Sequence, residues 1–310
     1  MELIRGIHNI RQQHHGCALT IGNFDGVHLG HQHVLEKLLE QARLRKLPAT
    51  VMVFEPQPLE VFAKQQAPAR LTRFREKYQA LKALGVDRML CVNFNPQFAE
   101  QTADYFIEDL LVKGLGVEYL AVGDDFRFGR GRSGDFAALQ QAGERFGFTV
   151  TNSHSFCVEQ RRVSSTAIRE LLAHGHFEDA KQMLGRAFHF SGRVVHGQKL
   201  GRQLGFATAN LRLDRKVPPL TGVYAVNAEL PDGRTFPGVA NVGKRPTAGG
   251  EQLLLETHLF GFSENLYGQF LRVEPQLKLR DEVKFPSLEA LKAQVELDIK
   301  QAKSFYDLAE

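Results

Sequence analysis

IGNFDGVHLGHQ, residues 21–32, is the stretch on which the reading of this fold turns. An apolar run over Ala18 to Phe24 gives way here to a long amphipathic pattern that starts near His31. A strand, a glycine-punctuated turn and a helix in that order predict a βα unit. Gly22, Gly26 and Gly30 let backbone approach a ligand with no Cβ in the way. The unpaired N–H groups and dipole at a helix N-terminus favour a phosphate there. His28 and His31 stand beside it, able to hydrogen-bond and neutralise charge that grows on a phosphate during transfer. A second reading stays open, in which one histidine simply caps the helix. Zinc is disfavoured: Asp25 is the one carboxylate at ligand spacing, and no H-E-x-x-H is present.

Outward from this turn, β-prone runs at 49–54, 88–94 and 119–126 alternate with helical patterns beginning at His31, Phe74 and Thr102. The alternation predicts βαβ units and a mostly parallel sheet covered on both faces. Ligands of such sheets sit at the carboxyl ends of the strands. The histidine turn, Glu55 to Pro58 and Gly123 to Gly134 all follow strands and are expected to meet at that edge. Two short helical segments, SSTAIRELLAHG and HFEDAKQMLG, close this half. From Phe188 onward, short β-prone runs are broken by glycine and proline, with a hairpin signal at Asp232-Gly233. They predict a small antiparallel barrel or sandwich, followed by an amphipathic helix over SLEALKAQVELDIKQAKSFYDL. The boundary falls near residues 175–190, which divides the chain into 1–185 and 186–310.

The 310 residues suffice for two cores, and 43% hydrophobic with 24% charged residues is ordinary for a globular chain. A net charge of +4 is too small and too scattered to argue for nucleic acid. Cys17, Cys91 and Cys157 are odd in number and far apart, which points to a reducing compartment. No run is long enough to span a bilayer, so the expected setting is cytoplasmic, with no membrane partner. The chain is expected to work as a monomer or weak homo-oligomer on small molecules.

Two familiar phosphate motifs are matched and refused. Gly129 to Gly134 spells G-x-G-x-x-G, but about twenty positions on, where a dinucleotide site needs an acid, stand Ser153, His154 and Ser155. Gly238 to Lys244 imitates a P-loop, yet Arg245 replaces the magnesium-binding hydroxyl and Pro246 blocks the required helix. A third segment, RVSSTAIR (162–169), places hydroxyls at a helix start and an arginine one turn later. Such groups grip phosphate oxygens, although alone the segment reads as a serine N-cap with a surface arginine.

H-x-G-H together with S-S-T-x-I-R resembles the nucleotidylyltransferase superfamily. With FEPQP, GDDFRFGRGRSGD, GRVVHGQKLGRQLGFATANL, GVYAV, GVANVGKRPT, LETHLF and LYG, the chain is similar nearly throughout to bacterial bifunctional riboflavin kinase/FAD synthetases. The resemblance implies an α/β protein: an N-terminal parallel-sheet, Rossmann-like domain of the HxGH type, then a small antiparallel β-barrel domain with a C-terminal helix. It implies that the barrel phosphorylates riboflavin to FMN with ATP. The first half would then adenylylate FMN to FAD with release of pyrophosphate.

By the same resemblance, His28 and His31 are catalytic, and Asn23, Gly30, Ser164, Thr166 and Arg169 bind the nucleotide. Asp125, Phe126, Arg127 and Phe128 bind flavin or adenine, with Phe126 and Phe128 each either stacking on a ring or belonging to the core. In the second half Glu256 is the general base, and Thr208 and Asn210 are ligands of Mg²⁺. Gly197, Lys199, Gly201 and Arg202 belong to a lid over ATP. Three departures stand out: Gln57 replaces the histidine of F-E-P-x-P, Ala207 the proline of P-T-A-N, and Gly261 the aspartate of H-L-F-D-F. Two rivals remain, a flavin-storage module without catalysis and a transferase for another phosphate ester. The retained Glu256 disfavours the first, and the kinase-like second half disfavours the other.

Overall fold

In the computed structural model, which describes residues 1–63, 66–153, 156–158, 161–197, 206–213, 217–247 and 250–309, the chain forms two compact units. One comprises Met1–Pro68 with Thr72–Ser165, the other Ala69–Leu71 with Thr166–Glu310.

The first unit begins with β1 (Glu2–Arg5) and β2 (Cys17–Ile21), followed by α1 (Leu29–Arg45) and β3 (Ala49–Glu55). Next come the short α2 (Pro58–Phe62), α3 (Phe74–Ala83), β4 (Arg88–Asn93) and α4 (Pro96–Ala99). A π-wound helix over Tyr105–Gly114, β5 (Val117–Val122), α5 (Phe136–Phe146) and β6 (Thr149–Asn152) complete the sheet region. The sheet order is β1-β4-β3-β2-β5-β6, and every pairing is parallel. Because side chains alternate across a strand, each central strand supplies two cores. Leu19, Met52, Leu90 and Leu120 pack under the π-wound helix and α5, against Phe106, Leu110 and Leu139. Ala18, Val51, Met89 and Tyr119 face the other way, against Leu35, Leu38 and Leu81 of α1 and α3. This is the two-faced burial that near-continuous apolar strands require.

Several elements go beyond the sequence-based expectation, β1, β6 and α5 among them. β1 and β6 are four-residue edge strands, too short to show a period. α5 is opened by Asp135, whose carboxylate accepts from Ala138 N at 2.9 Å, and closed by Gly147 at φ 83°. The strand expected over 18–24 ends at Ile21, and α1 begins at Leu29, leaving the histidine turn as seven residues between them.

After a two-strand ribbon, β7 (Cys157–Val158) with β8 (Arg161–Arg162), the chain enters α6 (Ser165–Ala173) and α7 (Phe177–Leu184). The second unit's barrel strands are β9 (Phe190–Val195), β10 (Ala209–Arg212), β11 (Gly222–Glu229), β12 (Thr235–Thr247), β13 (Gly250–Leu259) and β14 (Phe270–Arg280). They close in the order β10-β13-β12-β11-β14-β9, all antiparallel. The hairpin expected at Asp232-Gly233 joins β11 to β12, with Leu230 N donating to Arg234 O at 2.9 Å and Gly233 at φ 87°. Closure removes the exposed edges of an open sheet. The terminal helix, Leu288–Phe305, lays Ala302 against Val223, Ala225 and Val239. A bidentate pair fastens it, Arg280 donating from Nε to Asp298 Oδ1 (2.9 Å) and from Nη2 to Oδ2 (2.7 Å), with Asp298 only 3% exposed.

Candidate active sites

β2 delivers its carboxyl end to the histidine turn, and α1 starts where that turn stops. His28 is the N-cap of α1, its Nδ1 accepting from the backbone N–H of His31 at 3.3 Å. Capping and catalysis are therefore compatible readings of the same residue. An Nδ1 that accepts carries no proton, so neutral His28 holds its hydrogen on Nε2, the tautomer that can donate to a phosphate oxygen. The His28 and His31 rings stack, with centroids 3.6 Å apart and planes 14° apart. Gly30 permits this packing: a Cβ there would lie 3.2 Å from the His28 ring and 3.4 Å from Val163 O.

His31 Nδ1 is buried with no hydrogen-bond partner among the described residues. Burial pushes His31 well below its usual 6.5, and the charges of His28 and Lys77 push the same way. His31 is thus neutral at physiological pH. As pH falls through 6.5 the unfolded chain takes up this proton while the folded protein resists it. Acid therefore favours unfolding, and stability rises with pH up to that value. His31→Asn, which has no such proton to bind, is expected to flatten the slope; denaturation midpoints over about pH 5 to pH 8 check it.

Both imidazoles line a cavity of about 230 Å³, together with Gly30, Asp124, Asp125 and Arg162. Asp125 lies 3.9 Å from the Arg162 guanidinium. Asn23 is exposed and does not line this cavity. Phe128 takes the core alternative, 6% exposed and packed on Phe106 with centroids 4.9 Å apart, while Phe126 is half-buried and stacked on Phe128. Arg127 is exposed and donates to the carbonyls of Asp124 and Phe126. Ser164 is half-buried. Its neighbour Ser165 donates to Asp25 O of the histidine turn at 2.9 Å. Thr166 is exposed, and Arg169 donates through Nε to Ala69 O; both belong to the second unit.

Gln57, at the carboxyl end of β3, is 4% exposed, and its Nε2 has no partner among the described residues. An orphaned buried amide costs about 1–3 kcal/mol. Gln57→Leu is therefore expected to stabilise the protein by about 1 kcal/mol. Thermal unfolding checks this, and lower stability contradicts it.

The refused motifs have other structures. Gly129 and Gly131 sit at φ 72° and 63° around a 3₁₀ turn, a bridge pairs Phe128 with Gly134, and no helix opens within the motif. Gly238 to Lys244 lies wholly inside β12.

In the barrel, Asn210 of β10 stands directly opposite Glu256 of β13, which also stands opposite Asn241 of β12. Residues paired across antiparallel strands share a face, so the three form one polar row. Asn241 was not singled out from the sequence; its Oδ1 is buried with no partner among the described residues. Along β13, Leu255, Thr257 and Leu259 are buried and Glu256 is half-buried, the alternation that sets the glutamate on the other face. Asn210 also borders a cavity of about 460 Å³ with Gly197, Thr208, Thr257, Phe262 and Tyr267. A Cβ at Gly197 would come within 2.6 Å of the Asn210 amide. Gly261 adopts φ 66°, a left-handed turn that aspartate also tolerates, so this departure leaves the backbone conformation accessible. Lys199, Gly201 and Arg202 lie outside the described residues.

A parallel-sheet domain with an H-x-G-H helix start, joined to a six-stranded closed barrel, defines a two-domain nucleotide-using transferase. Comparison with known proteins narrows the class. The FAD synthetase family matches residues 10–167 and the riboflavin kinase family residues 184–306. The bifunctional riboflavin kinase/FMN adenylyltransferase of Haemophilus influenzae is 53% identical, over 99% of this chain and 100% of its own length. That of Escherichia coli K12 is also 53% identical, over 100% and 99%, and that of Pseudomonas fluorescens 49%, over 98% and 97%. A crystal structure from Streptococcus pneumoniae described as a macrolide-efflux protein shares the fold at TM-score 0.76 and 30% identity, covering 96% of this chain and 97% of its own. The chain belongs to the bifunctional riboflavin kinase/FMN adenylyltransferase family: it phosphorylates riboflavin to FMN and adenylylates FMN to FAD. Among the described residues no helix is long and apolar enough to cross a membrane.

Proposed function

We propose that adenylyl transfer occurs at the stacked His28–His31 pair and riboflavin phosphorylation beside Glu256, with the domains meeting at residues 185 and 186. The observation that carries the first assignment is the histidine pair at the start of α1, lining a cavity with Gly30. There the FMN phosphate attacks the α-phosphorus of ATP in line, and pyrophosphate leaves. Catalysis needs positioning and charge stabilisation rather than a side-chain nucleophile. His28 Nε2–H donates to the phosphates as negative charge moves to the leaving group. Gly30 admits the nucleotide, and Asn23 and Ser164 hold its phosphates. Asp125, Phe126 and Arg127 contact the flavin, with Phe128 supporting them from the core.

In the barrel, Glu256 accepts the proton of the riboflavin 5′-hydroxyl as its oxygen attacks the γ-phosphorus and ADP departs. Thr208 and Asn210, both bordering one cavity, offer the neutral hard oxygens that suit Mg²⁺. Bound there, Mg²⁺ supplies charge neutralisation on the ATP phosphates. Gly197, Lys199, Gly201 and Arg202 are assigned to ATP binding by their motif. We further assign the protein to the cytoplasm, on its scattered free cysteines, and expect it to act as a monomer or weak homo-oligomer.

Incubation of the protein with ATP, riboflavin and Mg²⁺, followed by chromatography, tests the reading. FMN and FAD should both appear, and a chelator should stop FMN formation. Absence of both products with Mg²⁺ present would instead indicate a storage module.

A further inference from the structure

Two residues of the histidine turn have backbones that side chains rarely adopt: Phe24 at φ 46° and Val27 at φ 43°. For a β-branched valine this is a strained conformation, and it persists only where the surroundings over-determine it. Both are buried, at 3% and 1% exposure. Between them, Asp25 is 2% exposed and held by a residue far away in the chain. Its Oδ1 accepts from Thr72 N at 2.9 Å and from Thr72 Oγ1 at 3.1 Å. The same Thr72 hydroxyl accepts from Gly26 N at 3.0 Å. Ser165 Oγ adds a fourth bond, to Asp25 O. The three buried bonds among these run through Thr72, and its hydroxyl both donates and accepts. Neither Thr72 nor Asp25 borders the histidine cavity.

We propose that Thr72 is a positioning residue for adenylyl transfer: clasped to Asp25 and Gly26, it holds the strained turn that aims His28 and His31. The inference rests on the histidines acting at the phosphates. Thr72→Val keeps the side-chain shape and the backbone donor. It removes the hydroxyl, and with it the bonds to Gly26 N and to one Asp25 carboxylate oxygen. Displacing a reacting group by about 1 Å costs on the order of 100-fold in rate.

Kinetics on the full-length protein test the proposal, with riboflavin phosphorylation by the same chain as internal reference. Thr72→Val is expected to lower kcat for FAD formation from FMN by about 10- to 100-fold. The KM values for ATP and FMN should stay within about threefold, as should riboflavin phosphorylation. Thr72→Ser, which restores the hydroxyl, should return kcat to within about threefold of the parent. Wild-type adenylyl transfer by Thr72→Val, an equally impaired Thr72→Ser, or parallel loss of both activities overturns the proposal. If Thr72→Val does not fold, Asp25→Asn decides, since it keeps a weaker neutral acceptor. It should lose about tenfold in kcat at constant KM, and wild-type turnover by it overturns the clasp. Activity retained after removal of both histidines would instead refute the underlying site.

Discussion

His28→Ala combined with His31→Ala is expected to cut FAD formation from FMN by at least about 1000-fold, because one preorganised donor at a developing charge is worth about 100- to 1000-fold. The two rings are not independent: they stack at 3.6 Å, and His28 caps the helix through His31 N. Single substitutions therefore disturb the partner as well, and their effects should not add. Losing the cap costs helix stability of about 1 kcal/mol, small beside the burial in the two cores that flank the sheet. The same protein should still convert riboflavin to FMN at its usual rate, so FMN accumulates. Chromatography of a riboflavin and ATP incubation reads both steps at once. Full adenylyl transfer by this variant removes the imidazoles from the mechanism.

Glu256→Gln is expected to do the reverse. A general base contributes about 100- to 10,000-fold, and glutamine preserves the size and hydrogen-bonding shape of the side chain while losing its basicity. Riboflavin phosphorylation should fall by that factor, with FAD still produced from supplied FMN. The half-buried position of Glu256 on β13, in register with Asn210 and Asn241, makes a folding defect from this isosteric change small. Kinase activity that survives the substitution would reassign the proton acceptor.

Much of this arrangement is legible in the sequence, for physical reasons that also explain what is not. The central strands show themselves because both faces are buried, so Val51 to Phe54 or Leu19 to Ile21 read as apolar runs. α5 is equally readable from Asp135 and Gly147, its two caps. β1 and β6 carry too few residues for a period. That Ser165 donates to Asp25 O depends on where a helix begins to wind, which the run of three hydroxyls does not fix by itself. Phe126 and Phe128 stack on each other and both pack against Phe106, so they differ in depth of burial, which residue type does not reveal. The Asp25–Thr72 bond joins positions 47 residues apart, and no local pattern announces such a pairing. Asn241 likewise gains meaning only from strand register, which places it across from Glu256.

The central claim is that two separate sites carry two separable reactions, with FMN as the product of one and the substrate of the other. Mixing the His28→Ala/His31→Ala protein with the Glu256→Gln protein, in riboflavin, ATP and Mg²⁺, tests it most directly. Each variant alone should make no FAD from riboflavin, and the mixture should make it through FMN released by the first and captured by the second. A mixture that stays without FAD, while each variant retains its own half-reaction, would contradict the account.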